Sequence, residues 1–367
     1  MTEAATRVAV ESRTAISLVD GDIHIQPANR LDFGRYMTAH WRRHLETFGG
    51  RGPGGASYPR ANKYAARSDS YPPNGKPPGS DLDFLRHQLL DTWNIDIGVL
   101  NPLLGAGGQR NLEFGAALAT AINEWQFAEW LDPEPRLRGS VVVEYEDGEL
   151  AAEEIHRVGD DPRLVHVLLS IRTAEPMGRR KYWPMYEAAV AHDLPVGVHF
   201  GGSGGSPITG TGFPSFYIED HAGMPTVFQS QVISLVCEGV FERFPDLKIV
   251  LIEGGFGWLP SLMWRLDEAY GRLREEVPAL RRLPSEYIRE HFWITTQPME
   301  EPPRVTQLER LLDQLNMNDR LMFATDYPHW DFDAPDHAIP GRLPADLKAA
   351  IRAENAVRLY GLRPAEA

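Results

Sequence analysis

An eight-stranded parallel α/β barrel is the fold this sequence predicts, and three observations predict it. Short β-rich runs alternate with helical segments at fairly regular intervals, the pattern of βα units that build a parallel sheet. Eight such runs can be counted along the 367 residues. Several are nearly continuous apolar stretches, as strands buried on both faces should be. The length would hold two average domains, yet a (β/α)8, or TIM, barrel often takes roughly 250–400 residues for one. We therefore read 16–367 as a single barrel domain behind a flexible segment at 1–15.

The strands are expected over Ile16–His24, Ile95–Asn101, Leu137–Glu144, Leu164–Arg172, Pro195–Phe200, Lys248–Glu253, Phe292–Thr296 and Leu321–Asp326. Helical patterns fall between them at Asn111–Trp130, Leu150–Val158, Trp183–His192, Thr226–Phe244, Leu259–Glu276 and Arg304–Leu315. A last helix is expected over Pro344–Leu359, with Pro344 at its start and Gly361 just past its end.

Two stretches break the alternation. One, about 34–83, is rich in Gly, Pro, Tyr and Arg and follows the first strand, where a barrel needs only a short connection. The other, GGSGGSPITGTGFPSFYIEDHAGMP, follows His199. Both read as long insertions after strands 1 and 5, at the end where barrel active sites are built, so a lid or pocket wall is expected. A flexible linker is the alternative for the second, opposed by the aromatic residues among its glycines.

Hydrophobic content of 43% with 24% charged residues is that of a soluble globular protein. A net charge of −14 argues against a broad footprint for nucleic acid or anionic membrane and favours a small-molecule partner. Arg179, Arg180 and Lys181 leave room for a local anion pocket. Cys237 is the single cysteine, so no intrachain disulfide forms, and its apolar setting VISLVCEGV reads as a buried structural thiol. No charged start precedes a long apolar stretch, and no run approaches the roughly 18 apolar residues of a membrane span. A cytoplasmic location is expected.

Four possible metal ligands recur at the ends of apolar runs: Asp22 and His24 in ISLVDGDIHIQP, His199 in LPVGVHF, and Asp326 in RLMFATDYPHWD. Residues i and i+2 of a strand share a face, so Asp22 and His24 can reach one ion together. Singly, a strand-end His is more often a hydrogen-bonded structural residue, and an Asp at a βα junction a helix cap. Their joint placement favours ligation. Two imidazoles and two carboxylates suit one divalent cation, zinc first and manganese next, with positions left for water and substrate.

With these residues in place, the chain resembles the ACMSD-like, amidohydrolase-related branch of the metal-dependent amidohydrolase superfamily. The resemblance spans nearly the whole chain. It rests on the first-strand Asp22 and His24, the fifth-strand His199, the sixth-strand Glu253 followed by Gly254 and Gly255, and the eighth-strand DYPH at Asp326–His329. WRLD at Trp264–Asp267 and KYWPMYEA at Lys181–Ala188 add to it. Two positions depart from the pattern that the resemblance implies. Asp22 stands where many relatives carry His or Glu, and Glu253 where the family's decarboxylases usually present His, which tilts the expectation towards hydrolysis. The fourth strand, VLLSIRTAEP, lacks a lysine that could be carbamylated to bridge two metals, which favours one ion. The resemblance also implies a homodimer, for which the amphipathic Trp264–Val277 is a candidate surface.

The expected chemistry is hydrolysis: metal-activated water, deprotonated by Asp326 or Glu253, attacks an ester, lactone, amide or activated carbon–carbon carbonyl. His329 would orient Asp326 or contact substrate. Arg172 would grip a substrate carboxylate, and Asn101, Phe200 and Trp330 would complete the substrate contacts. Loop aromatics Tyr58, Tyr64, Tyr71, Phe213, Phe216 and Tyr217 suggest an aromatic or carboxylate-bearing small molecule. The closest alternative is non-oxidative decarboxylation of an aromatic or unsaturated acid, with Asp326 protonating carbon. A non-catalytic binding protein on the same barrel is a third reading.

Overall fold

All eight expected strands form, and they pair in chain order. In the computed structural model, which describes residues 15–50, 65–202 and 209–364, they are β1 (Val19–Ile23), β2 (Ile97–Leu100), β3 (Leu137–Val142), β4 (Leu164–Ser170), β5 (Val196–His199), β6 (Ile249–Ile252), β7 (Phe292–Thr295) and β8 (Leu321–Met322). Every neighbouring pair from β1 to β8 is parallel. The ring closes where Gly21 N donates to Phe323 O at 2.9 Å and His24 N to Tyr327 O at 2.7 Å. The fold is thus the predicted (β/α)8 barrel. Except for Ala15, the segment expected to be flexible lies outside the described residues, as do Tyr58 and Tyr64.

Side-chain alternation along the strands sorts the apolar residues into two bodies. Ile249 and Leu251 join the large core between sheet and helices. Their neighbours Val250 and Ile252 join a smaller cluster with Val19, Ile97, Val99 and Met322. That smaller body is sealed by Ala353, Ala356, Leu359 and Leu362, which follow β8. The sealing segment is a helix expected as one piece and built as three: α-helical Ala345–Ala349, a π-turn over Ala350–Glu354, and α-helical Asn355–Tyr360. Gly361 ends it in the left-handed region at φ 61°, as expected.

The remaining helices cover the outside. We number them α1 (Ala39–Phe48), α2 (Leu82–Leu85), α3 (Leu112–Gln126), α4 (Gly148–Val158), α5 (Trp183–Ala191), α6 (Tyr217–Cys237), α7 (Val240–Arg243), α8 (Leu259–Leu273), α9 (Pro284–His291) and α10 (Val305–Leu315). Asn111 and Asp147 cap α3 and α4, accepting from the N–H groups of Phe114 and of Glu149 and Leu150.

Four features differ from expectation. The helix expected over Thr226–Phe244 starts earlier, at Tyr217, so YIEDHAGMP is helical rather than loop, and Gly239 at φ 74° divides it into α6 and α7. The Gly/Pro-rich stretch 34–83 carries α1. The short α9 went unforeseen because PSEYIREH offers only two turns of periodicity. The basic trio is dispersed: Arg179 meets Glu238 at 3.4 Å, Lys181 meets Glu146 at 2.8 Å, and Arg180 lies over the Trp183 ring.

Residues 65–81 fold back over the end of the barrel that carries β1. Arg67 N donates to Pro328 O, Trp330 N to Ala65 O, and Gln26 N to Gly79 O. Gly79 is required there: φ is 67°, and a Cβ would sit 2.4 Å from the carbonyl oxygen of His24. Cys237 is half-buried at the end of α6, where burial pushes its thiol pKa up. Among the described residues, no helix is long and apolar enough to cross a membrane.

Candidate metal centre

Asp22 lies in β1, His24 one residue past it, His199 at the end of β5, and Asp326 four residues beyond β8. The barrel brings all four to one end. His24 Nε2 is 2.8 Å from Asp326 Oδ1 and 3.4 Å from Asp22 Oδ1, and His199 Nε2 is 3.0 Å from Asp22 Oδ2. One donor atom from each residue lies within 4.8 Å of every other. Donors that share an ion at about 2.1 Å sit roughly 3.0–3.4 Å apart, so this spacing fits a common coordination sphere.

The imidazoles are oriented for ligation. His24 Nδ1 is 2.8 Å from Asn101 O and His199 Nδ1 is 2.7 Å from Phe200 O. A carbonyl only accepts, so each Nδ1 donates there and each Nε2 faces the carboxylates as the ring atom that would ligate an ion. Burial opposes ionisation of Asp22, but the facing His199 and His24 overcome it and hold its carboxyl well below the usual range. Burial likewise opposes charge on Asp326, which His329 and His24 outweigh. His329 Nδ1 bonds Asp326 Oδ1 at 2.7 Å, and its ring stacks on His24 at 4.4 Å. That bond fixes one oxygen of Asp326.

Glu253 behaves in the opposite sense. Burial, then the charges of Asp326, Asp331 and Asp22, push its carboxyl well above the usual range. Its nearest imidazole atom is His199 Nδ1 at 3.5 Å, whose proton is already given to Phe200 O. Glu253 and Asp326 share one further trait: left-handed backbones, at φ 61° and 59°. Such conformations cost a side-chain-bearing residue of the order of 1 kcal/mol, and are retained where they aim a functional group.

Several participants were missed in the sequence. Asp20 is fully buried, with its carboxyl pushed up to about 7 by burial. It accepts from Asp22 N, Thr325 N and Thr325 Oγ1, bolting β1 to the segment after β8. His221 in α6 bonds Asp331 Oδ2 at 2.9 Å, and both come within 4.8 Å of Glu253. Gln297 Nε2 reaches Asp331 at 3.2 Å and Asp326 at 3.4 Å. His166, in β4, meets Asn101 Oδ1 through Nε2 at 2.8 Å. Asp331 sits inside the quoted DYPHWD motif, and His166 was the one ionisable side chain in LVHVLLS. Those were the available signals.

The expected substrate contacts are redistributed. Asn101 is fully buried, with its amide spent on Asp22 and His166, so it supports a ligand instead of meeting substrate. Arg172 is 8% exposed and commits Nη2 to Asp220 at 2.6 Å, while Nε is buried without a partner. One arm of its fork is thus committed to Asp220, while Nε keeps an unused donor. Phe200 lies under the Arg172 guanidinium at 4.6 Å. Trp330 is 45% exposed and donates through Nε1 to Tyr217 OH, beside His221.

A sequence profile of the family described as amidohydrolase matches residues 19–362. The chain belongs to that family. This amidohydrolase is 29% identical over 278 residues to the gamma-resorcylate decarboxylase of Polaromonas sp. strain JS666, covering 70% of this chain and 79% of that one. The 5-carboxyvanillate decarboxylase of Sphingomonas paucimobilis superposes with a TM-score of 0.67 at 23% identity, covering 95% of this chain and all of the other. A dihydroxybenzoic acid decarboxylase from Polaromonas sp. JS666, solved with manganese and 2-nitroresorcinol, gives 0.65 at 22%, covering 95% and 98%. The structural likenesses establish the shared fold. The relative matched over 70% of this chain is a decarboxylase, which weighs against the expected hydrolysis and toward its alternative.

Proposed function

We propose that this amidohydrolase is a divalent-metal-dependent, non-oxidative decarboxylase of a hydroxylated aromatic acid. The convergence of Asp22, His24, His199 and Asp326 carries the reading. The decarboxylase relative over 70% of the chain supports the reaction, and the manganese in the dihydroxybenzoic acid decarboxylase supports that ion over zinc.

The ion, when bound, would hold the substrate carboxylate and an adjacent hydroxyl and offset their charge. The chain's own groups handle the proton. The ring carbon bearing the carboxylate takes a proton, the bond to the carboxyl carbon breaks, its electron pair restores the ring, and carbon dioxide leaves. Two carboxylates whose environments drive their pKa values apart divide the labour. Asp326 is held ionised and serves as a ligand, whereas burial and the surrounding carboxylates favour the protonated form of Glu253, which is the donor. This revises the expectation that Glu253 in place of His favours hydrolysis: a buried acid that keeps its proton is a poor base and a good proton source. His221 and Asp331 would return the proton from the solvent side.

The test is a panel of hydroxybenzoates with manganese-loaded protein in deuterated and oxygen-18 water. Carbon dioxide release with one deuterium on the product ring is expected. Oxygen-18 in the product without carbon dioxide would restore hydrolysis. Glu253→Gln should cut turnover about 10²–10⁴-fold while manganese occupancy is kept.

A further inference from the structure

Asn101 holds both ligands contributed by the first strand. Its backbone carbonyl accepts from His24 Nδ1 at 2.8 Å, and its side-chain Nδ2 donates to Asp22 Oδ1 at 2.9 Å. The other end of that amide, Oδ1, is 2.8 Å from His166 Nε2, and His166 Nδ1 is 3.2 Å from Tyr360 OH. Asp22, Asn101 and His166 are each fully buried. The line therefore runs from the helix that seals the barrel, through its interior, to a candidate ligand.

Chemistry fixes the sense of every bond. An ionised Asp22 only accepts, so the amide nitrogen of Asn101 faces it and Oδ1 faces His166. His166 must then donate from Nε2. A neutral ring has one proton, so Nδ1 accepts from the Tyr360 hydroxyl. Burial keeps the ring neutral, with its pKa pushed down to about 3. Space is reserved for it: a Cβ on Gly197 would lie 2.7 Å from His166 Cδ2 and 2.8 Å from Nε2.

We infer that Tyr360, His166 and Asn101 are positioning residues that set the rotamer of Asp22 and turn its Oδ2 toward His199 Nε2, 3.0 Å away, where both would meet a divalent cation. The inference rests on the metal centre proposed above. A neutral line suits the task, because it restrains one carboxylate oxygen without placing a formal positive charge beside a cation. An Arg or Lys there would compete with the ion for the carboxylate.

Purified wild type, His166→Leu, His166→Gln, Asn101→Leu and Tyr360→Phe, stripped with chelator, are titrated with manganese, and bound manganese is examined by electron paramagnetic resonance. His166→Leu and Asn101→Leu should bind about 10–100-fold more weakly, with an altered spectrum, as when outer hydrogen bonds to a metal ligand are lost. His166→Gln keeps a donor where Nε2 stood and should recover most of the affinity. Tyr360→Phe should show the smallest loss. Urea midpoints are recorded in parallel, since a merely structural role would shift these and leave the dissociation constant and spectrum alone. Equal affinities and spectra across the set would overturn the positioning line but not the metal centre. A wild type that binds no manganese would overturn both. If His166→Leu does not fold, Asn101→Leu against His166→Gln decides.

Discussion

The two ends of this barrel are built on opposite principles. At the carboxyl ends of the strands, Asp22, His199 and Asp326 are fully buried ionisable groups, and Glu253 and Asp326 adopt left-handed backbones. Farther in, Val19, Ile97, Val99, Val250 and Ile252 pack against Ala353, Ala356 and Leu359. One body spends free energy on holding charges out of water; the other recovers it from apolar burial. Barrel enzymes separate chemistry from stability in this way, and here a single polar line, from Tyr360 to Asp22, joins the two.

That contrast can be broken most directly at the charged end. An Asp22→Ala, His199→Ala double variant should lose high-affinity manganese, by more than about 10³-fold, because half of the ligand set is gone. It should stay folded, since removing buried charges lifts a desolvation burden. Equilibrium dialysis with circular dichroism reads both, and retained binding would mean the ion sits elsewhere.

At the apolar end the signs reverse. Ile97→Ala should cost about 2–5 kcal/mol in urea unfolding while leaving manganese affinity within about threefold of wild type. A large loss of affinity at modest destabilisation would show that the two ends are energetically inseparable.

Glu144 sharpens the comparison further. It is fully buried two residues beyond β3, one carboxylate oxygen has no hydrogen-bond partner, and burial pushes its pKa up to about 8. The folded state then holds a proton that the unfolded state releases near pH 4.5, so stability falls as pH rises through that interval. Between pH 6 and pH 8 the wild type should lose about 2 kcal/mol that Glu144→Gln keeps. Parallel stability curves for the two would refute the assignment.

How much was legible depends on how local each signal is. The strands were readable because parallel strands buried on both faces are apolar throughout, and the ligands because they punctuate those runs. Asp22 and His24 needed only the two-residue repeat of a strand. His166 was not legible in this way: its role depends on Asn101, 65 residues away, and on Tyr360, 194 residues away. The ion pair of Arg172 with Asp220 was not legible because nothing near Arg172 announces it. His221 was hidden by reading a Gly-rich stretch as loop to its end, when the helix begins at Tyr217. The positive φ of Glu253 has no residue-type signature, and that of Asp326 has only the modest left-handed preference of aspartate.

The closure of β1 onto the segment after β8 also sets a timetable for biosynthesis. His24 and Asp326 are 302 positions apart, so at roughly 5–20 residues per second the second leaves the ribosome about 15–60 s after the first. Until then a nascent chain offers a cation only part of its cage. On the proposed metal centre, capture of a divalent cation should therefore mark completed molecules, and a stalled or truncated translation product would be spared a misplaced ion.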